Sequence, residues 1–107
     1  IDGQLYARTN LDMIEEASNG QIKPGALAMT DPAERLAAMD RQGVDVHVIF
    51  PSLFLALSPD SPEVELAVTR AYNRFLAERC AGSGGRLRWV MQPSPKNMAE
   101  TVEDIRW

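Results

Sequence analysis

The chain has 107 residues (11.8 kDa), 45% of them apolar and 24% charged, the balance of one small globular domain; a whole closed eight-stranded α/β barrel, which takes about 250 residues, is excluded. Fifteen acidic against eleven basic side chains give a net charge of -4, which opposes a nucleic-acid partner. No apolar run approaches the roughly 20 residues of a membrane span, and the single cysteine, Cys80, excludes an internal disulfide or a cysteine-built metal site.

A soluble, cytoplasmic chain is the expectation. It opens on Ile1, and Trp107 falls where a helical pattern is still running, so both ends read as cut. Asp2-Gly3 between apolar neighbours is a hairpin-turn signal, because glycine accepts the positive φ of such turns. Residues 9 to 30 mix Asn, Ser, Gly, Lys and Pro around Leu11, Met13 and Ile14 without a sustained period, so a long loop holding one helical turn is expected.

At Thr30-Asp31-Pro32 the signals change. Asp31 can cap a helix, Pro32 suits its first position, and Glu34 completes a capping-box pattern. Leu36 and Met39, with alanines 33 and 37, form the expected buried stripe, and Gly43 stands where a left-handed C-terminal cap belongs. Val44 to Phe50 reads as a strand closed by Pro51, which has no N–H to donate. A proline-rich loop follows, and Ser61-Pro62 opens a second helix. Its apolar positions, Val64, Val68, Ala71, Tyr72, Phe75 and Leu76, recur at helical spacing up to about Cys80. Gly82-Ser83-Gly84-Gly85 stops it, Leu87 to Met91 makes a second strand, and Asn97-Met98-Ala99-Glu100 starts a third helix with Val102 and Ile105 on one face.

Helix, strand, helix, strand, helix with short joins predicts an α/β unit with parallel strands. Two such strands cannot cover both their faces or their edges. The sheet is therefore expected to continue into strands from residues beyond this chain, or from another copy of it.

Few side chains carry a chemical signal. Asp45 and His47 share a strand face with Ile49, and a carboxylate can orient an imidazole at a metal, yet zinc wants three or four protein ligands. A half-buried histidine bonded to a neighbour is the expectation. Cys80 lies at a helix C-terminus, the wrong end for a thiolate, and reads as a packing or surface thiol. Ser52 follows a strand but lacks the Gly-x-Ser-x-Gly elbow of a nucleophile. Gly82 to Gly85 precedes its strand and opens no helix, so it is a helix stop and not a phosphate loop. Arg70, Arg74, Glu78 and Arg79 fit a solvated helix face, and Arg86 and Arg88 alternate beside Trp89, within reach of acidic helix residues.

Taken together in order, Asp31 to Ser52 (DPAERLAAMDRQGVDVHVIFPS), Ala71 to Ala77 (AYNRFLA) and Arg86 to Val90 (RLRWV) resemble the amidohydrolase-2 family. These are metal-dependent TIM-barrel enzymes similar to aminocarboxymuconate semialdehyde decarboxylase. The resemblance covers residues 31 to 107. It implies that this stretch is a partial (β/α)8 barrel carrying the second and third strands with their flanking helices, and that residues 1 to 30 are a hairpin and loop inserted after the first strand. It also implies a divalent metal, often zinc, and hydrolysis or non-oxidative decarboxylation of a small carboxylate substrate in the intact protein.

The family's metal ligands come from a His-x-His pair on the first strand, later histidines and a late aspartate, none of which this chain contains. Asp45-x-His47 does not replace that pair, since position 49 is Ile. No catalytic or metal-ligating residue is therefore assigned, and the chain alone is expected to hold no metal and to be inactive. By barrel geometry its contribution is pocket wall at the strands' carboxyl ends: Pro51, Ser52, Leu53 and Phe54 after one strand, Gln92 and Pro93 after the next. The alternative is a non-catalytic α/β scaffold or interaction module that self-associates as a homo-oligomer.

Overall fold

A computed structural model describes residues 24–52 and 59–106; the expected N-terminal hairpin lies outside them. In chain order the elements are α1 (Pro24–Leu27), α2 (Pro32–Gln42), β1 (His47–Ile49), α3 (Pro62–Ala81), β2 (Leu87–Trp89) and α4 (Met98–Ile105). The architecture is mixed α/β, with a two-stranded parallel sheet in which His47, Val48 and Ile49 pair with Leu87, Arg88 and Trp89. The four-residue α1 falls inside the stretch expected to be mostly loop.

Both ends of α2 follow from local chemistry. Asp31 Oδ1 accepts from the N–H groups of Ala33 and Glu34 at 3.0 and 3.2 Å, and Pro32 takes the first position. The return arm of a capping box is not made by Glu34: the Asp31 N–H donates to the Gly25 carbonyl at 3.1 Å, which ties α1 to α2. At the other end Gly43 has φ +67°, its N–H reaches Asp40 O, and the Val44 N–H reaches Met39 O at 2.9 Å. This is the paired Schellman arrangement, with Val44 packed on the cluster that contains Met39.

The buried residues of α2 are Ala38 and Met39, while Ala33 and Ala37 are exposed. At 3.6 residues per turn, positions 33 and 37 lie about 120° and 160° around the axis from Met39, so they cannot share its face. Met39, fully buried at 0% exposure, sits in a cluster with Met29, Leu76, Cys80 and Leu87, against which Leu36, Val44, Ile49, Tyr72, Phe75 and Trp89 are half-buried.

The strands are shorter than Val44 to Phe50 and Leu87 to Met91. Ahead of β1, the carbonyls of Val44 and Asp45 are taken by the Arg86 guanidinium at 3.0 and 3.1 Å, and Arg86 also pairs with Asp40 at 2.7 Å. Beyond Trp89 the loop's polar groups are met by side chains of α3 and α4, as described below. Ser83 links α3 to β2, its hydroxyl accepting from the Leu87 N–H at 3.0 Å, while Gly84 and Gly85 take φ +63° and +81°.

One face of the sheet is covered and the other is open. His47, Ile49, Leu87 and Trp89 turn toward the helices; Val46, Val48, Phe50 and Val90 are 36–62% exposed on the opposite side. The expected apolar face of α4 is open as well, with Met98, Val102 and Ile105 exposed and Thr101 the buried residue.

Because no atom lies within 4 Å of a Cβ built on Gly43, only its backbone conformation resists substitution. Gly43→Ala is expected to lower stability by about 1–2 kcal/mol in urea unfolding, and Gly43→Asn by less. An alanine variant as stable as the parent would contradict the left-handed cap.

Candidate functional site

Parallel pairing sends the loops after β1 and β2 off the same end of the sheet. Pro51 is buried there and Ser52 exposed, its N–H donating to Phe50 O at 2.9 Å. Gln92 is half-buried and Pro93 exposed. Leu53 and Phe54 lie outside the described residues. Pro51 and Ser52 thus emerge at the same end as Gln92 and Pro93.

The loop after β2 is held by side chains standing in for a neighbouring strand. Asn73 of α3 brackets Gln92: its Nδ2 donates to Gln92 O at 2.9 Å and its Oδ1 accepts from Gln92 N–H at 2.8 Å. Two residues on, Thr101 of α4 does the same for Ser94, its Oγ1 accepting from Ser94 N–H and donating to Ser94 O, both at 3.0 Å. Backbone polar groups withdrawn from water need such partners, and here α3 and α4 supply them.

Glu65 lies at the centre. Only 5% exposed, its Oε1 accepts from the Ser94 hydroxyl at 2.7 Å and the Lys96 N–H at 3.0 Å, and its Oε2 lies 3.8 Å from Lys96 Nζ. Lys96 Nζ also donates to the carbonyls of Pro59 and Asp60. Asn97 Nδ2 reaches Pro62 O at 2.7 Å and Ser94 Oγ at 2.9 Å. Asn97 stands at the cap position of α4, but its side chain makes no capping bond and crosses to the first turn of α3 instead. These bonds join the segment leading into α3 to the loop after β2. Burial alone would push the Glu65 carboxyl up, but the Lys96 N–H, the Ser94 hydroxyl and the Lys96 ammonium outweigh it and hold the carboxyl below its usual range.

The apolar periodicity of α3 points elsewhere. Its buried line is Glu65, Thr69, Asn73, Leu76 and Cys80, at spacings of four and three, with the apolar Val64, Val68, Tyr72 and Phe75 half-buried beside it and Ala71 exposed. The signal was present in the sequence as polar residues at 65, 69 and 73 in register with Leu76 and Cys80. A polar loop backbone, not an apolar neighbour, covers that half of the helix.

His47 is half-buried and its Nδ1 accepts from Arg35 Nε at 3.3 Å; Arg35 also donates to Ala26 O at 3.1 Å. Burial, then the adjacent guanidinium, push the imidazole below its ordinary value and so favour the neutral ring, whose Nδ1, accepting from Arg35, leaves Nε2 to carry the proton. That nitrogen pairing, and a cation beside the ring, do not fit a metal ligand. Among the described residues no group of three or more His, Cys, Asp or Glu could hold a metal ion. Cys80 is a buried packing thiol, pushed up by burial, and burial raises the Tyr72 phenol to about 12. Arg70, expected on a solvated face, makes a forked ion pair with Asp104 at 2.8 and 2.9 Å that joins α3 to α4. Arg79 stacks over the Phe75 ring at 5.3 Å.

A groove of about 340 Å³ lies on the helix side, lined by Arg70, Asn73, Arg74, Trp89, Met91 and Asp104. None of the described residues expected to form pocket wall lines it. No described helix is long and apolar enough to cross a membrane. Compared with protein-family models, curated proteins and solved structures, the chain gives no match.

Because the native pKa of Glu65 is lowered, its contribution to stability is complete above the unfolded value near about 4.3 and is lost as pH falls through the native value. Glu65→Gln is therefore expected to destabilise by about 1–3 kcal/mol at pH 7, with the gap to the parent narrowing below about pH 4 in denaturant titrations. A gap that widens on acidification would contradict the lowered native pKa.

Proposed function

We propose that this chain is part of a metal-dependent enzyme similar to the amidohydrolase-2 family, forming the second and third strands of a (β/α)8 barrel with their helices. The observation that carries the reading is the uncovered sheet face of Val46, Val48, Phe50 and Val90. Fully burying one such side chain is worth about 1.5–3 kcal/mol; at 36–62% exposure the four together still forgo roughly half of that, about 3–6 kcal/mol, a large part of the about 5–15 kcal/mol that holds a small domain together. In a barrel that face is the interior, where branched side chains pack in layers, and the helix-covered face is the exterior.

On this reading Pro51, Ser52, Leu53, Phe54, Gln92 and Pro93 wall a pocket at the strands' carboxyl ends, which is where barrel enzymes place their chemistry. The clamp from Asn73 to Gln92 and the Glu65 network give that wall a fixed shape. The wall would shape the site and exclude water around a small carboxylate substrate. The described residues hold no metal shell, so the ligands and the reacting groups are assigned to strands outside this chain, and the chain alone is assigned no turnover.

In the gene product that carries this sequence at its natural length, a stoichiometric divalent metal is expected by elemental analysis. Chelation should abolish turnover and zinc restore it. Phe54→Ala and Gln92→Ala should each lower kcat/KM by about tenfold, the scale of a lost pocket contact. A metal-free gene product that neither hydrolyses nor decarboxylates small carboxylates, and sediments as an oligomer, would replace this reading with that of a self-associating α/β module.

A further inference from the structure

The open sheet face is not uniformly apolar. Arg88 lies at its middle: in register opposite Val48 on the neighbouring strand, it is exposed between the buried Leu87 and the half-buried Trp89, which turn the other way. The large apolar side chains described on that side are Val46, Val48, Phe50 and Val90, which cannot accept a hydrogen bond, and Arg86, two residues before Arg88, is already engaged by Asp40 and the carbonyls of Val44 and Asp45. Among the described residues the Arg88 guanidinium makes no hydrogen bond or ion pair, in contrast to Arg35, Arg70 and Arg86.

Whatever covers four apolar side chains of this face must also cover Arg88. A guanidinium taken from water without an opposing charge is strongly unfavourable, and breaking a buried ion pair by removing one partner costs about 3–5 kcal/mol. A second copy laid face to face about a two-fold axis would set a second Arg88 against the same apolar side chains, and the nearby Asp40 carboxylate is already paired with Arg86. The apolar face calls for further strands, and its central cation calls for an acid on them.

We propose that the open face is closed by further β-strands of the same polypeptide, apolar on their inner side, which present one carboxylate to Arg88. This rests on the barrel reading above and adds to it the charge that the missing strands carry. Arg88 is then a positioning residue: its pairing selects the arrangement in which that carboxylate meets the Val48 and Arg88 level of the sheet.

Two measurements on the natural-length gene product separate this inference from the reading beneath it. The first is the rate at which maleimide labels the thiol of a Val48→Cys variant, with buried Cys80 as internal reference. The second is the melting temperature of Arg88→Lys, Arg88→Gln and Arg88→Met. The proposal expects the introduced thiol to be protected at all protein concentrations. It expects Tm to fall by about 5 °C or more in the Gln and Met variants, with most of it retained in the Lys variant. Protection with an unchanged or raised Tm in Arg88→Met, or with Gln as good as Lys, would overturn the carboxylate and leave the covered face standing. Protection lost on dilution would assign the face to a second copy and overturn the proposal. Labelling as fast as in the unfolded chain would overturn both the proposal and the barrel reading.

Discussion

A single buried carboxylate organises the end of the sheet from which both loops leave. Glu65 accepts from Ser94 and Lys96, and through them the segment leading into α3, the loop after β2 and the start of α4 become one unit. Burial on its own would favour a neutral Glu65; two donors and an ammonium from one loop reverse that, so the loop and the charge stabilise each other. Asn73 and Thr101 extend the same principle, each satisfying both polar groups of one loop residue. The loop after β2 therefore has a defined shape although it has neither a ladder nor an apolar core of its own.

The same arrangement explains which parts of the structure the sequence made legible. Helix limits depend on a few residues with local effects, and Asp31-Pro32, Gly43, Ser61-Pro62 and Gly82 mark the ends of α2 and α3 where the structure has them. Helix faces depend on what lies opposite. Ala33 and Ala37 look buried by composition but face away from Met39, and the polar line of α3 is buried because a loop backbone, invisible to periodicity, packs on it. Asn97 shows the same limit: its position is that of a cap, but a carbonyl across the loop competes for its amide. Strand lengths likewise depend on neighbours: the strands are shorter than their β-prone runs because Arg86 takes the carbonyls that would extend β1.

For the candidate site, the positions of Pro51, Ser52, Gln92 and Pro93 at one end follow from parallel pairing, which the order of elements already implied. Of the residues that hold that end, Glu65 and Asn73 are legible only as polar residues at helical spacing on α3, and Thr101 on α4 carries no such signal. His47, the residue with the most chemical promise, turned out to join β1 to α2 through Arg35. The groove on the helix side takes in none of Pro51, Ser52, Gln92 and Pro93, and the Arg70–Asp104 pair that borders it links two helices.

Two apolar surfaces without cover among the described residues, on the sheet and on α4, support the proposal that the chain is one sector of a larger sheet. Hydrogen exchange measured by mass spectrometry over residues 46–50 and 87–91 tests that directly, comparing the natural-length gene product with the 107-residue chain. The account predicts strong protection in the former and weak, concentration-independent protection in the latter. Equal protection in a monomeric 107-residue chain would contradict it.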